Sequence, residues 1–307
     1  MRTVVCWQMI HLNSEQILAF MQKHRLPDSF CTVIDNHYLP LAHWLAKTKQ
    51  TSTKIIGISG AQGTGKTTLT DFLKLTLETV YGWSVATLSL DDFYFKRSER
   101  ENLSKEIHPL LQTRGVPGTH DLTLCTQVLT DLQQLKKNNT LQLPRFNKAQ
   151  DDRFPNQDWP FVTGPIDIII LEGWCLGSQS QDTNSLIKPL NDLEATKDPD
   201  MAWRTYVNNQ LQNSYSELFK SIDKLIFLKA PGIKAVHDWR QEQETKLAQN
   251  PGLLRTGIMG VDQMSEFLQH YERLTRANLH QLPTLADVTM DLGENHQVID
   301  TFYREKT

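Results

Sequence analysis

Cysteine is scarce and scattered: Cys6, Cys31, Cys125 and Cys175 stand far apart, with no Cys-x-x-Cys among them. That spacing argues against both a zinc knuckle and a disulfide framework, and it fits a reduced, cytoplasmic compartment. Long apolar runs are missing too. The strongest, such as residues 166–171, fall far short of the roughly 20 residues that a membrane-spanning helix needs. The first ten residues hold one arginine and a short apolar stretch, but Trp7, Gln8 and the polar run behind them make no secretory core, so no export signal is expected. Neither charge sign dominates. With 32 Lys and Arg against 35 Asp and Glu, the formal charge of -3 sets up no global attraction to nucleic acid or to an anionic membrane. The expected partner is a small molecule, held in a local basic cleft, and a monomer is the working expectation. There is no internal repeat and no low-complexity tract.

What is present is a change of pattern along 307 residues, a length that buries a large core without staples. An N-terminal helical extension is predicted over residues 1–50, from Ile17, Leu18, Phe20 and Met21 at helical spacing behind Ser14, and from a second apolar stripe in Tyr38–Lys47. The remainder, 51–307, reads as one domain. From Lys54 on, short apolar runs alternate with longer amphipathic stretches, the pattern of a parallel sheet with crossover helices. Strands are predicted over 54–59, 85–90, 167–171, 224–228 and 287–292, with a turn at Gly293-Glu294-Asn295 leading into a last strand over 297–303. Helices are predicted over 66–80, 121–137, 200–219, 233–247 and 261–279. Two stretches, about 96–120 and 141–164, follow neither period, and their aromatics and arginines mark them as functional loops rather than disorder.

Gly60-Ala61-Gln62-Gly63-Thr64-Gly65-Lys66-Thr67 fits G-x-x-x-x-G-K-[ST], between a predicted strand and a predicted helix as that motif requires. Glycines let successive N–H groups turn inward onto phosphate oxygens, reinforced by the helix N-terminus. Lys66 would then bridge the β- and γ-phosphates, Thr67 would ligate Mg2+, and Thr68 offers a further hydroxyl near the α-phosphate. The expected fold is therefore α/β, a three-layer P-loop NTPase with a parallel central sheet flanked by helices. Asn147-Lys148-Ala149-Gln150 lacks the aspartate that guanine reading needs. The apolar run 166–171 ends in Glu172-Gly173-Trp174, and a carboxylate at a strand's carboxyl end faces the ligand crevice, where it can hold Mg2+ directly or through water. Asp91 and Asp92 end the second strand in the same way. Moving a phosphoryl group to an alcohol needs a carboxylate beside the acceptor hydroxyl, and this pair supplies one.

The phosphate loop, Ser89-Leu90-Asp91-Asp92-Phe93-Tyr94 and Leu171-Glu172-Gly173-Trp174 together resemble the uridine kinase, phosphoribulokinase and pantothenate kinase group of P-loop kinases. Arg114-Gly115-Val116-Pro117-Gly118-Thr119-His120-Asp121, Leu143-Pro144-Arg145-Phe146-Asn147-Lys148 with Asp152-Arg153, Val236-His237-Asp238-Trp239-Arg240, and Phe267–Thr275 resemble the D-glycerate 3-kinase family within it. The resemblance covers about residues 54–305, with Asn147 standing where that family's pattern has aspartate. It implies ATP as donor, D-glycerate as acceptor, 3-phosphoglycerate as product, and Asp91 as the catalytic base. It leaves Asp92 without a role. Glycerate's carboxylate calls for a fixed cation, which a planar guanidinium suits. The candidates are Arg114, Arg145 and Arg153, with His120 and Lys148 as further donors and Tyr94 as a wall. A lid is expected over about 233–250, with Arg240 stabilising transition-state charge. Two alternatives stand beside this reading: a kinase for another acceptor such as uridine or pantothenate, and a nucleotide-binding regulatory protein without turnover.

Overall fold

The computed structural model describes residues 12–48, 52–248 and 261–304. Residues 1–11 and 49–50 of the expected N-terminal extension, and 249–250 of the expected lid, lie outside that set. Six strands form one sheet: Lys54–Gly60 (β1), Val85–Ser89 (β2), Ile168–Gly173 (β7), Lys224–Lys229 (β8), Val288–Leu292 (β9) and Val298–Tyr303 (β10). Four short strands pair outside it: Thr140–Gln142 (β3) with Phe161–Thr163 (β6), and Phe146–Asn147 (β4) with Asp152–Arg153 (β5). The sheet order is β10-β9-β8-β1-β7-β2, parallel throughout except for the terminal hairpin β9-β10.

Apolar residues on both faces make these strands, because the sheet is covered on both sides. Successive side chains point to opposite faces, and the cores record that alternation: Ile56, Ile58, Ile168 and Ile170 enter one, while Ile55, Ile169 and Leu171 enter the other. The first core is closed by Lys66–Tyr81 and by the N-terminal helices, where Phe20 and Tyr38 pack on Phe72 with ring centroids 5.2 and 5.3 Å apart. The second is closed by Leu122–Gln134, by the segment carrying Leu211, Tyr215 and Leu218, and by the helix Val261–Leu285. The result is a three-layer α/β fold.

Two expectations change and one is refined. The helix expected over 200–219 runs unbroken but widens at Leu211–Tyr215, between Ala202–Gln210 and Ser216–Lys220. The widened turn buries both Leu211 and Tyr215. The stretch 96–120 contains a helix, Arg97–Glu106, whose composition is polar because it buries little except Arg100. The stretch 141–164 folds as the β4-β5 hairpin held within the β3-β6 pair. Both are anchored by partners distant in sequence, Arg100 on Asp151 and Arg145 on Asp92, which periodicity does not report.

Candidate active site

β1 ends at Gly60, and the chain turns through Gly63 and Gly65, at φ +80° and +85°, into the helix Lys66–Tyr81. These left-handed angles favour glycine. Nothing lies within 4 Å of the place a Cβ on Gly65 would take, and that helix has no side-chain cap at its N-terminus. Its first N–H groups are therefore available to an anion. The Lys66 ammonium turns back onto the carbonyls of Gly60 (2.8 Å) and Ala61 (3.0 Å). Burial pushes it below the usual lysine value, against the pull of Glu172 and Asp91. A phosphate oxygen would be a stronger partner than either carbonyl. Thr64 is tied to Ala61 O at 2.8 Å, and the Thr68 hydroxyl faces His24 at 3.5 Å.

Glu172 sits at the end of β7, next to β1 in the sheet, with Ile58 opposite it in register. Its carboxylate accepts hydrogen bonds from Thr67 Oγ1 (3.0 Å) and Thr70 Oγ1 (3.3 Å), and burial pushes its pKa up despite Lys66. A hydroxyl and a carboxylate beside the phosphate loop are hard oxygen donors, which fit Mg2+. Among the described residues no three His, Cys, Asp or Glu side chains cluster as a self-sufficient metal site, so the phosphates and water would supply the remaining ligands.

Asp91 lies in a tight 3-10 turn, Leu90–Phe93, that Ser89 caps directly after β2. The Tyr94 hydroxyl donates to its Oδ1 at 3.0 Å, and the Lys148 ammonium pairs with its Oδ2 at 2.6 Å. Burial alone would raise this carboxyl; the adjacent Lys148, together with Lys66 and the other positive groups around it, holds it well below the usual carboxylate range. Asp92 faces another way. It binds Arg145 Nη1 at 2.7 Å and the Phe146 N–H at 3.1 Å, while burial pushes its own pKa up. The adjacent carboxylates thus divide: one side of the turn faces the crevice, and the other clamps the start of the β4-β5 hairpin.

The same hairpin is pinned twice more. Arg114 pairs with Asp151, and Arg100, only 1% exposed, donates to the carbonyls of Phe95 (3.2 Å), Gln112 (2.6 Å) and Asp151 (2.7 Å). Arg153 binds Tyr94 O (2.9 Å) and Asp121 (3.3 Å). Of the predicted acceptor-side cations, Arg145, Arg114 and Arg153 therefore each hold local structure, while Lys148 extends from the hairpin to Asp91 itself.

His120 is buried, stacked on Tyr94 at 4.5 Å, and pushed down by burial to about 4, so its ring is neutral at pH 7. The Gly118 N–H donates to the Tyr215 hydroxyl (3.0 Å), which is also hydrogen-bonded to His120 Nδ1 (2.5 Å). Nε2 is buried without a hydrogen-bond partner among the described residues.

Sequence reasoning missed Arg100 and Tyr215, and it reached Tyr271 only as part of the stretch Phe267–Thr275, without a role. Tyr271 donates to Arg114 O at 3.0 Å, and it approaches Gly115 so closely that a Cβ there would lie 2.0 Å from the hydroxyl. Trp174 donates to Gly115 O at 2.8 Å, consistent with a packing role for this ring. Arg240, on the helix Ile233–Ala248, approaches Gln243 at 3.5 Å and stands 5.9 Å from the Phe267 ring centre. One residue earlier, Trp239 stacks on His296 at 4.5 Å, and His296 Nδ1 meets the Gly63 carbonyl at 3.0 Å.

No family model matches the chain. It is 34% identical over 239 residues to the chloroplastic D-glycerate 3-kinase of Arabidopsis thaliana, a match covering 75% of this chain and 48% of that one. An uncharacterized kinase of Schizosaccharomyces pombe, mug58, is 32% identical over 71% of this chain and 78% of its own. The chain belongs to the family of P-loop kinases that includes D-glycerate 3-kinase. This family member spans about half the length of its Arabidopsis relative. The solved structure of D-glycerate 3-kinase from Cryptococcus neoformans matches 87% of this chain and 96% of its own with a TM-score of 0.68, at 24% identity, and establishes the shared fold. No helix among the described residues is long and apolar enough to cross a membrane.

Proposed function

We propose that this chain is an ATP-dependent kinase that transfers the γ-phosphoryl group to a hydroxyl of D-glycerate, giving 3-phosphoglycerate. The observation that carries the reading is the pairing of Asp91 with Lys148 in the crevice that also holds Lys66, Thr67 and Glu172. It sets a carboxylate and a cation beside a phosphate cradle, as an anionic alcohol requires. The Arabidopsis relative supplies the name of the acceptor.

The loop from Gly60 to Thr68 would hold the nucleotide, with Lys66 exchanging backbone carbonyls for β- and γ-phosphate oxygens. Thr67 and Glu172 would hold Mg2+, which when bound neutralises charge across the two phosphates. Asp91 accepts the hydroxyl proton as the acceptor oxygen bonds to phosphorus and the bond to the ADP oxygen breaks. Positioning and charge suffice, with no covalent enzyme intermediate. Tyr94, Arg114, His120, Arg145, Lys148 and Arg153 build the acceptor side, and the helix 233–248, with Arg240, forms the lid. The free thiols of Cys31, Cys125 and Cys175 agree with a reducing, cytoplasmic setting, and we propose a monomer.

An ADP-release assay with D-glycerate, uridine and pantothenate tests the acceptor. Turnover of D-glycerate is expected; turnover of uridine without glycerate sinks the assignment. Asp91→Asn should retain MgATP binding and lose about a hundredfold or more in turnover. That split also separates a kinase from a regulatory protein that merely binds nucleotide.

A further inference from the structure

The β4-β5 hairpin is immobilised from one side: Asp92 takes Arg145 and the Phe146 N–H, Arg114 takes Asp151, and buried Arg100 binds the Asp151 carbonyl and carboxylate. Lys148, two residues beyond Phe146, is held to the site by a rigid base yet keeps a side chain that is 61% exposed. Among the described residues its ammonium pairs with Asp91 Oδ2, at 2.6 Å. Tyr94 occupies Oδ1 of the same carboxylate. Both oxygens of the base are thus engaged before any acceptor arrives.

We propose that Lys148 reads the acceptor's carboxylate by moving off Asp91, so that the base is released only when an anionic alcohol is bound. The inference rests on the glycerate reading above and names the residue that selects the substrate's charge. Lys148 has three donors and a flexible stem, whereas the neighbouring arginines are committed to fixed hydrogen bonds. A second carboxylate within reach competes for the ammonium, and as that contact forms, Asp91 Oδ2 is left to accept the acceptor's hydroxyl proton. While the pair is intact, the depressed basicity of Asp91 makes it a poor proton acceptor. A neutral polyol has no charge with which to break it. Selectivity for an acid over its neutral isostere therefore comes from an ion pair inside the enzyme, not from pocket shape.

The test compares D-glycerate with its neutral amide, D-glyceramide, in the wild type, Lys148→Met, Lys148→Arg and Arg145→Met. The wild type should prefer glycerate. Lys148→Met should lower kcat/KM for glycerate by about 10- to 100-fold, the loss expected for one charge-assisted contact, while leaving the amide unchanged or better. Lys148→Arg should restore much of the preference. With the amide as acceptor, the acid limb of the kcat/KM profile should move to higher pH in Lys148→Met, because Asp91 has lost its counter-ion. Unchanged MgATP affinity confirms the fold of each variant. An equal loss for both acceptors in Lys148→Met, or a loss of charge preference in Arg145→Met alone, overturns the proposal while leaving the glycerate reading intact. A wild type without glycerate turnover overturns both.

Discussion

Asp91 and Asp92 are adjacent and chemically alike, yet the 3-10 turn gives them opposite tasks. Asp91 meets Tyr94 and Lys148 at the crevice; Asp92 fastens the hairpin that carries Lys148. His120 shows a second residue-scale effect. Burial lowers its folded-state pKa to about 4 from 6.5, so on acidification the unfolded chain takes up this proton first. The stability it contributes is present above pH 6.5 and is lost as pH falls toward 4, by up to about 3 kcal/mol. Urea unfolding of wild type and His120→Gln across that window should show a shallower acid loss in the variant. Equal slopes would mean that His120 is solvated in the native state.

The phosphate loop, the helix 233–248 and the β9-β10 turn meet at one glycine. A Cβ on Gly63 would lie 2.7 Å from Trp239 Cβ, and the φ of +80° is unfavourable for any L side chain. Trp239 is itself fixed by its indole N–H on Glu294 O (2.7 Å) and by the stacked His296, which reaches back to Gly63 O. Gly63→Ala should therefore push the helix from the loop and weaken MgATP binding tenfold or more by calorimetry, through a backbone strain of about 1–3 kcal/mol plus the clash. Affinity equal to wild type would show that the loop and helix move independently. The widened turn at Leu211–Tyr215 is another element with a local purpose: it carries the buried Tyr215 whose hydroxyl is hydrogen-bonded to His120 Nδ1 and to the Gly118 N–H. Such turns recur at functional sites.

At the scale of the molecule, the N-terminal helices share a core with the nucleotide-binding layer. Leu41, Ala42 and Leu45 are buried with Leu69, Phe72 and Leu73, and Lys23 and His24 reach Asp71. Residues 12–48 thus cover the outer face of the helix that follows the phosphate loop. Deleting residues 1–48 should expose that apolar face and give aggregation or loss of cooperative thermal unfolding. A soluble, cooperatively folding product that binds MgATP would show these helices to be dispensable.

The phosphate loop, Glu172 at a strand end and the alternation of strands and helices were legible in the sequence because their signals are local: glycine spacing, an apolar run, a period. The fold class followed from them. What the sequence left open was decided by contacts between residues far apart in the chain. The role of Asp92 depends on Arg145 and Phe146, 53 and 54 positions away, and the helix Arg97–Glu106 is anchored by an arginine whose partners include Asp151. A period reports which face of an element is apolar, but not which charged group waits on another element. Only the tertiary structure could commit Arg100, Arg145 and Arg153 to holding loops and leave Lys148 against Asp91, because burial cost and hydrogen-bond geometry decide how each cation is used.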